Sequence, residues 1–190
     1  GLSSTLPDGR AADLVTAADS PMPLYKPRKD HAPRARIGGQ SRGAESGVPL
    51  LIALVPDHVA FTIKGDPSLC WYLSLPTSHA MTVTVVDSRG IHCTRPREYG
   101  IELKEQESYR WFITLVVDPD EPSRDIVAGG TIERIPYSEA CSLGMPCTWT
   151  SCDRDAIYRY SESGLWYDAI ACLLDLITYE GDKQSLERMT

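Results

Sequence analysis

The chain has 190 residues, room for one ordinary domain and an appendage, and 42% hydrophobic against 24% charged residues exclude a wholly disordered protein. With 19 Lys+Arg against 26 Asp+Glu the net charge is −7, which disfavours nucleic-acid binding. No apolar run approaches the roughly 20 residues that cross a bilayer as a helix; the longest, Val48 to Val55 and Phe112 to Val117, have strand length.

The sequence starts at Gly1 with neither Met nor an apolar signal segment, so the expectation is a processed or trimmed product, compatible with prior loss of a signal peptide. Residues 1–47 form an unusual stretch. They carry 7 Lys+Arg and 5 Asp+Glu, net +2, whereas residues 48–190 carry 12 and 21, net −9. Prolines 7, 21, 23, 27 and 33 and glycines 9, 38, 39, 43 and 47 break any regular pattern. Such a segment buries too little apolar surface to offset its chain entropy, and reads as an extended arm. Two readings stand: a linker, or an arm that orders on a partner. Its apolar anchors, Leu14, Val15, Met22, Leu24 and Tyr25, are the candidate subunit contacts. Pro21 and Pro23 suit an extended course along a sheet edge.

From Val48 onward the pattern is that of strands. P-L-L-I-A-L-V-P and V-A-F-T-I-K are short apolar runs, C-W-Y-L-S-L-P is aromatic, and M-T-V-T-V-V-D alternates before S-R-G turns it into I-H-C-T. Y-G-I-E-L-K-E alternates too, with Ile101 and Leu103 on one face. Y-R-W-F-I-T-L-V-V is the strongest strand. I-V-A-G-G-T-I-E-R-I follows the turn D-P-D-E-P-S-R-D, and its Gly129-Gly130 suggests a bulge or bend. About eight strands at this spacing predict a mainly β protein, an antiparallel immunoglobulin-like β-sandwich.

The last part changes period. Asp153 is a good N-cap for a helix that Gly164 ends. A second helix then puts Trp166, Ile170, Leu173, Leu174 and Ile177 on one stripe and ends before Gly181. The domain plan is an arm over 1–47, a sandwich over 48–136, and a Cys-rich loop with a helical hairpin over 137–190.

The succession L-I-A-L-V-P, C-W-Y-L-S-L-P, Y-R-W-F-I-T-L-V-V-D-P-D-E-P-S-R-D, G-T-I-E-R-I and S-G-L-W-Y-D-A resembles domain of unknown function family 928 over roughly residues 26–180. The resemblance implies architecture and export, and no chemistry, because the family has no established activity. Val117 stands where members often carry Cys. The stretch C-S-L-G-M-P-C-T-W-T-S-C looks peculiar to this chain.

Six cysteines, Cys70, Cys93, Cys141, Cys147, Cys152 and Cys172, include no C-x-x-C pair. A metal site would need Cys141, Cys147 and Cys152 to recruit a distant His31, His58, His79 or His92. Disulfides in an oxidising compartment are the favoured reading, with buried thiols the remainder. In an antiparallel hairpin Cys152 falls opposite Cys172; Cys141 and Cys147 then close a short loop, and Cys70 and Cys93 link strands. Asp118, Asp120, Glu121 and Asp125 could ligate Ca²⁺, but lack EF-hand spacing and read as turn chemistry. No nucleophile motif or phosphate loop is present. Trp71-Tyr72, Tyr109/Trp111 and Trp166-Tyr167 are candidates for a carbohydrate platform or, more commonly, for packing. Asp168 reads as structural.

The expectation is a non-catalytic protein without cofactor, located outside the cytoplasm in secreted, surface or periplasmic form. Its arm docks on a neighbouring subunit in a homo-oligomer or a filament of donated strands. The alternative is a monomeric exported module that binds carbohydrate or peptide, recognisable by an exposed aromatic cleft.

Overall fold

A computed structural model describes residues 24–27, 48–74, 80–81, 90–146 and 151–189. Strands β1 (Leu51–Ala53), β3 (Leu69–Leu73) and β5 (Ile91–Thr94) form one antiparallel sheet in the order β1-β3-β5. Strands β2 (Ala60–Thr62), β4 (Ala80–Met81), β6 (Ser108–Val116) and β7 (Ile126–Arg134) form a second, in the order β2-β7-β6-β4. Helices α1 (Tyr137–Ser142), α2 (Arg154–Glu162) and α3 (Trp166–Met189) follow.

Alternation along β6 explains the layering. Trp111, Ile113 and Leu115 turn inward, while Arg110 and Phe112 turn to solvent. The inward set meets Leu51, Trp71 and Leu73 from the other sheet, so the sheets share one core. A second core lies under the helices, where Phe61 and Ile135 pack with Ile157, Tyr160 and Leu165. Asp153 caps α2 as its sequence position suggests, accepting the Ala156 N–H at 2.8 Å. Gly164 takes φ +75° at the turn into α3, a conformation that favours glycine.

The architecture is mainly β, but it departs from an eight-stranded antiparallel sandwich. The described residues form seven strands, and β2 runs parallel to β7, with Ala60 opposite Ile132 and Thr62 opposite Arg134. The expected strand Y-G-I-E-L-K-E is irregular. Pro96 opens a 3-10 turn that Gly100 closes at φ +73°, and the Leu103 N–H then bonds the Gly65 carbonyl at 2.8 Å. Loop and side-chain partners satisfy this backbone, so only Glu105 bridges to Arg134.

Gly129 and Gly130 make no bulge, because the β6–β7 register runs unbroken from Ser108↔Glu133 to Leu115↔Ile126. They serve close approach instead. A Cβ on Gly129 would run into the Trp111 carbonyl oxygen, and one on Gly130 would press the Val55 methyls at 3.0 Å. Helix α3 also continues through Gly181, since a lone glycine costs a helix only about 1 kcal/mol. Its buried residues are Tyr167, Ala169 and Cys172 beside the polar Asp168, with Leu165 buried just before its start, whereas Ile177 of the expected stripe is exposed. A buried carboxylate among them hides this set from an apolar pattern.

Candidate functional site

An apolar groove of about 270 Å³ opens beside β6. Its floor is core surface, Leu69, Ile113 and Ile132. Tyr99 and Ile101 come to it from the 3-10 turn and its exit, and Tyr109, Trp111 and Phe112 from β6. Tyr99, Ile101 and Phe112 are 50%, 48% and 62% exposed, so three large apolar side chains stay in water around an apolar floor. Arg110 is the one charged lining residue, and Thr94 adds a hydroxyl.

Local chemistry fixes this geometry. The Thr94 hydroxyl donates to Glu98 at 2.8 Å, tying the end of β5 to the 3-10 turn. The Tyr109 hydroxyl accepts the Lys104 N–H at 3.0 Å and donates to Glu107 at 3.1 Å, closing the turn into β6. Arg134 donates to the Leu103 carbonyl at 2.7 Å and pairs with Glu105 at 3.9 Å, holding the 101–105 segment against β7. The Cys70–Cys93 disulfide joins facing residues of β3 and β5, one step from the Leu69↔Thr94 pair that lines the groove.

The second disulfide, Cys152–Cys172, links the start of α2 to α3 with Cα atoms 5.4 Å apart. Cys152–Cys172 is the pair expected from the hairpin, and Cys70–Cys93 the pair expected as the remainder to link strands. Cys141 lies half-buried in α1, and Cys147 falls outside the described residues. Among the described residues no group of three or more His, Cys, Asp or Glu gathers in metal-binding geometry. In the acidic turn Asp118 accepts the Asp120 N–H at 2.9 Å, and Arg124 pairs with Asp118 and Glu121 at 3.8 and 3.9 Å. That is turn chemistry.

Of the candidate subunit contacts, Leu14, Val15 and Met22 lie outside the described residues. Leu24 is 70% exposed. Tyr25, a candidate subunit contact, meets its own chain. Its hydroxyl lies 2.8 Å from His58 Nε2, and its ring meets Trp166 edge-on at 5.0 Å. Burial pushes the Tyr25 phenol up to about 12, so it stays protonated in this contact. Asp57 holds the far side of the imidazole at 3.2 Å. The Lys26 N–H bonds the Ser161 carbonyl at 3.0 Å, and its ammonium reaches Glu162 at 3.7 Å. Residues 24–27 are thus latched where α2, α3 and the β1–β2 connection meet.

The aromatic pairs do not form one platform. Trp71 is buried and stacked on His92, and the Trp166 indole donates to the Leu54 carbonyl at 2.9 Å. The Trp111 indole donates to Tyr167 at 3.0 Å, and the Tyr167 hydroxyl in turn donates to the Thr131 carbonyl at 3.2 Å. Only Tyr109 and Trp111 reach the groove. Tyr99, Ile101 and Phe112 escaped the sequence reading, although β6 alternation already puts Phe112 on the outer face beside Arg110.

A family model for the Domain of Unknown Function DUF928 matches residues 37–189. The chain belongs to this family. It matches no curated protein and no solved structure. DUF928 membership spans both sheets and the helices, so the groove, the latch and both disulfides, apart from Tyr25 and Lys26, lie within the matched region.

Proposed function

We propose that this DUF928 chain is an exported, non-catalytic binding module that takes an extended apolar protein segment into the groove beside β6. The observation that carries this reading is the exposure of Tyr99, Ile101 and Phe112 around a floor of core residues. An aqueous surface does not keep such a cluster without an occupant for some part of its working life. At about 270 Å³ the groove is smaller than the roughly 300–1,000 Å³ of small-molecule and cofactor sites, and suits a pair of aliphatic side chains. A sugar would need several polar partners for its hydroxyls, and the lining offers little beyond Thr94 and Arg110.

Two disulfides support an oxidising compartment, secreted, surface or periplasmic. No described helix is long and apolar enough to cross a membrane. Assembly through donated arms is the weaker reading, because Tyr25 and Lys26 bond their own chain.

The test is calorimetric titration of the full chain with a capped hexapeptide alternating valine and threonine. Phe112→Lys and Ile101→Lys, both at exposed positions, should each weaken binding at least tenfold. Equal affinity in the parent and both variants, or no binding to the parent, contradicts the reading.

A further inference from the structure

Strand alternation puts Arg110 and Phe112 side by side on the outer face of β6, about 7 Å apart at the usual rise of a strand. Every residue from Tyr109 to Ile113 lines the groove, so both faces of β6 reach it and it runs along the strand's edge. Arg110 is exposed and carries the groove's one charge. Among the described residues Arg97, Arg124, Arg134 and Arg159 pair with Asp66, Asp118, Glu105 and Asp155, whereas Arg110 pairs with no carboxylate. Its cross-strand neighbour on β7 is the uncharged Thr131, and the next residue on that face, Glu133, accepts the Ser108 hydroxyl at 3.1 Å. The remaining polar groups of the lining are engaged. The Thr94 hydroxyl donates to Glu98 at 2.8 Å, and the Tyr109 hydroxyl serves Lys104 and Glu107.

Arg110 is therefore the group with which the groove reads charge. A guanidinium is a planar fork that matches a carboxylate through two parallel hydrogen bonds, and it sheds water more readily than an ammonium. Beside it, Phe112 supplies an apolar surface that is 62% exposed. An extended segment running along β6 repeats the same spacing, because its own side chains two residues apart share a face. An aliphatic side chain on Phe112 thus sets the side chain two positions away on Arg110, where a carboxylate is attracted and a cation repelled. We infer that the groove selects extended segments of a partner protein in which an acidic side chain stands two residues from an aliphatic one, with Arg110 as the specificity-determining residue. This inference rests on the groove being the binding site, and it adds which segments the groove takes.

The experiment titrates the full chain with the capped valine–threonine hexapeptide and with versions that carry glutamate or lysine in place of the first or of the last valine. Both ends are tried because the segment can run either way along β6, and the caps leave the glutamate as the one carboxylate. The expected result is that one glutamate peptide binds about three times tighter than the neutral peptide, or better, and that lysine at the same position binds more weakly than neutral. The ratio between the glutamate and lysine peptides should fall to about one in Arg110→Gln and be kept in part by Arg110→Lys. Equal affinity for the neutral and both glutamate peptides overturns the inference and leaves the groove reading standing. A glutamate preference that survives intact in Arg110→Gln also overturns it, because another group then reads the charge. Absence of binding by every peptide overturns the groove reading itself.

Discussion

The carboxylate of Asp168, in the first turn of α3, accepts the backbone N–H of Ile63, the residue after β2, at 3.2 Å. Its other oxygen accepts the Thr62 hydroxyl, also at 3.2 Å. One buried side chain therefore fastens the helical hairpin to the parallel edge strand. Helix α3 presents its positive end there, which favours a carboxylate. Burial still dominates: desolvation raises the Asp168 carboxyl from 3.8 to about 6, against the opposing pull of Lys64 and of the two hydrogen bonds.

The sign of the pH effect follows. The folded chain holds the Asp168 proton more tightly than the unfolded chain, so this group's stabilising contribution is complete below about pH 4. It is lost as pH rises through about 6. Denaturant titrations between pH 4 and 8 should show Asp168→Asn flattening that part of the profile. Asp168→Leu, which strands the Ile63 N–H and the Thr62 hydroxyl, should cost about 3 kcal/mol. An unchanged pH profile in Asp168→Asn would contradict this assignment.

The Cys152–Cys172 bridge closes a loop of 20 residues around the α2–α3 turn, and Cys70–Cys93 one of 23. Replacing either pair by alanine should lower unfolding free energy by about 3 kcal/mol. The Cys70→Ala/Cys93→Ala variant should also weaken hexapeptide binding, since that bridge fixes the end of β5 at the groove. The Cys152→Ala/Cys172→Ala variant should not, once both are compared where fully folded. Alkylation of oxidised protein from an exporting host at any of these four cysteines would contradict the pairing.

The glycine pair of β7 gives a graded test. Gly129→Ala drives a Cβ into the Trp111 carbonyl, backbone against backbone, and should cost about 3 kcal/mol or more. Gly130→Ala meets only the Val55 methyls and should cost about 1 kcal/mol, recovered in part by Val55→Ala. Equal thermal shifts for the two alanines would mean that the β6–β7 approach is looser than described.

Much of this was legible in the sequence where one period ruled. The alternation of β6, the cap at Asp153 and the stop at Gly164 needed only local rules, and the pairing of Cys152 with Cys172 followed from the hairpin they imply. The parallel pairing of β2 was not legible, because three buried residues carry no direction and their partner lies some 70 positions away. The α3 stripe misled because its buried centre is an aspartate, whose acceptors are used by Thr62 and Ile63 from a remote strand. The groove needed tertiary structure. Tyr99 and Ile101 sit in a segment whose alternation suggests a strand, and only Pro96, Gly100 and the distant Arg134 turn it into a wall.

The groove is the central claim, and isoleucine methyl spectra test it most directly. The δ1-methyl signals of Ile101, Ile113 and Ile132 report on the groove, and those of Ile157 and Ile170 on the helices. On titration with the valine–threonine hexapeptide, the first three should shift together in a saturable manner while the last two stay in place. Shifts centred on Ile157 and Ile170, or no shift at Ile101 and Ile113 at saturating peptide, would contradict the account.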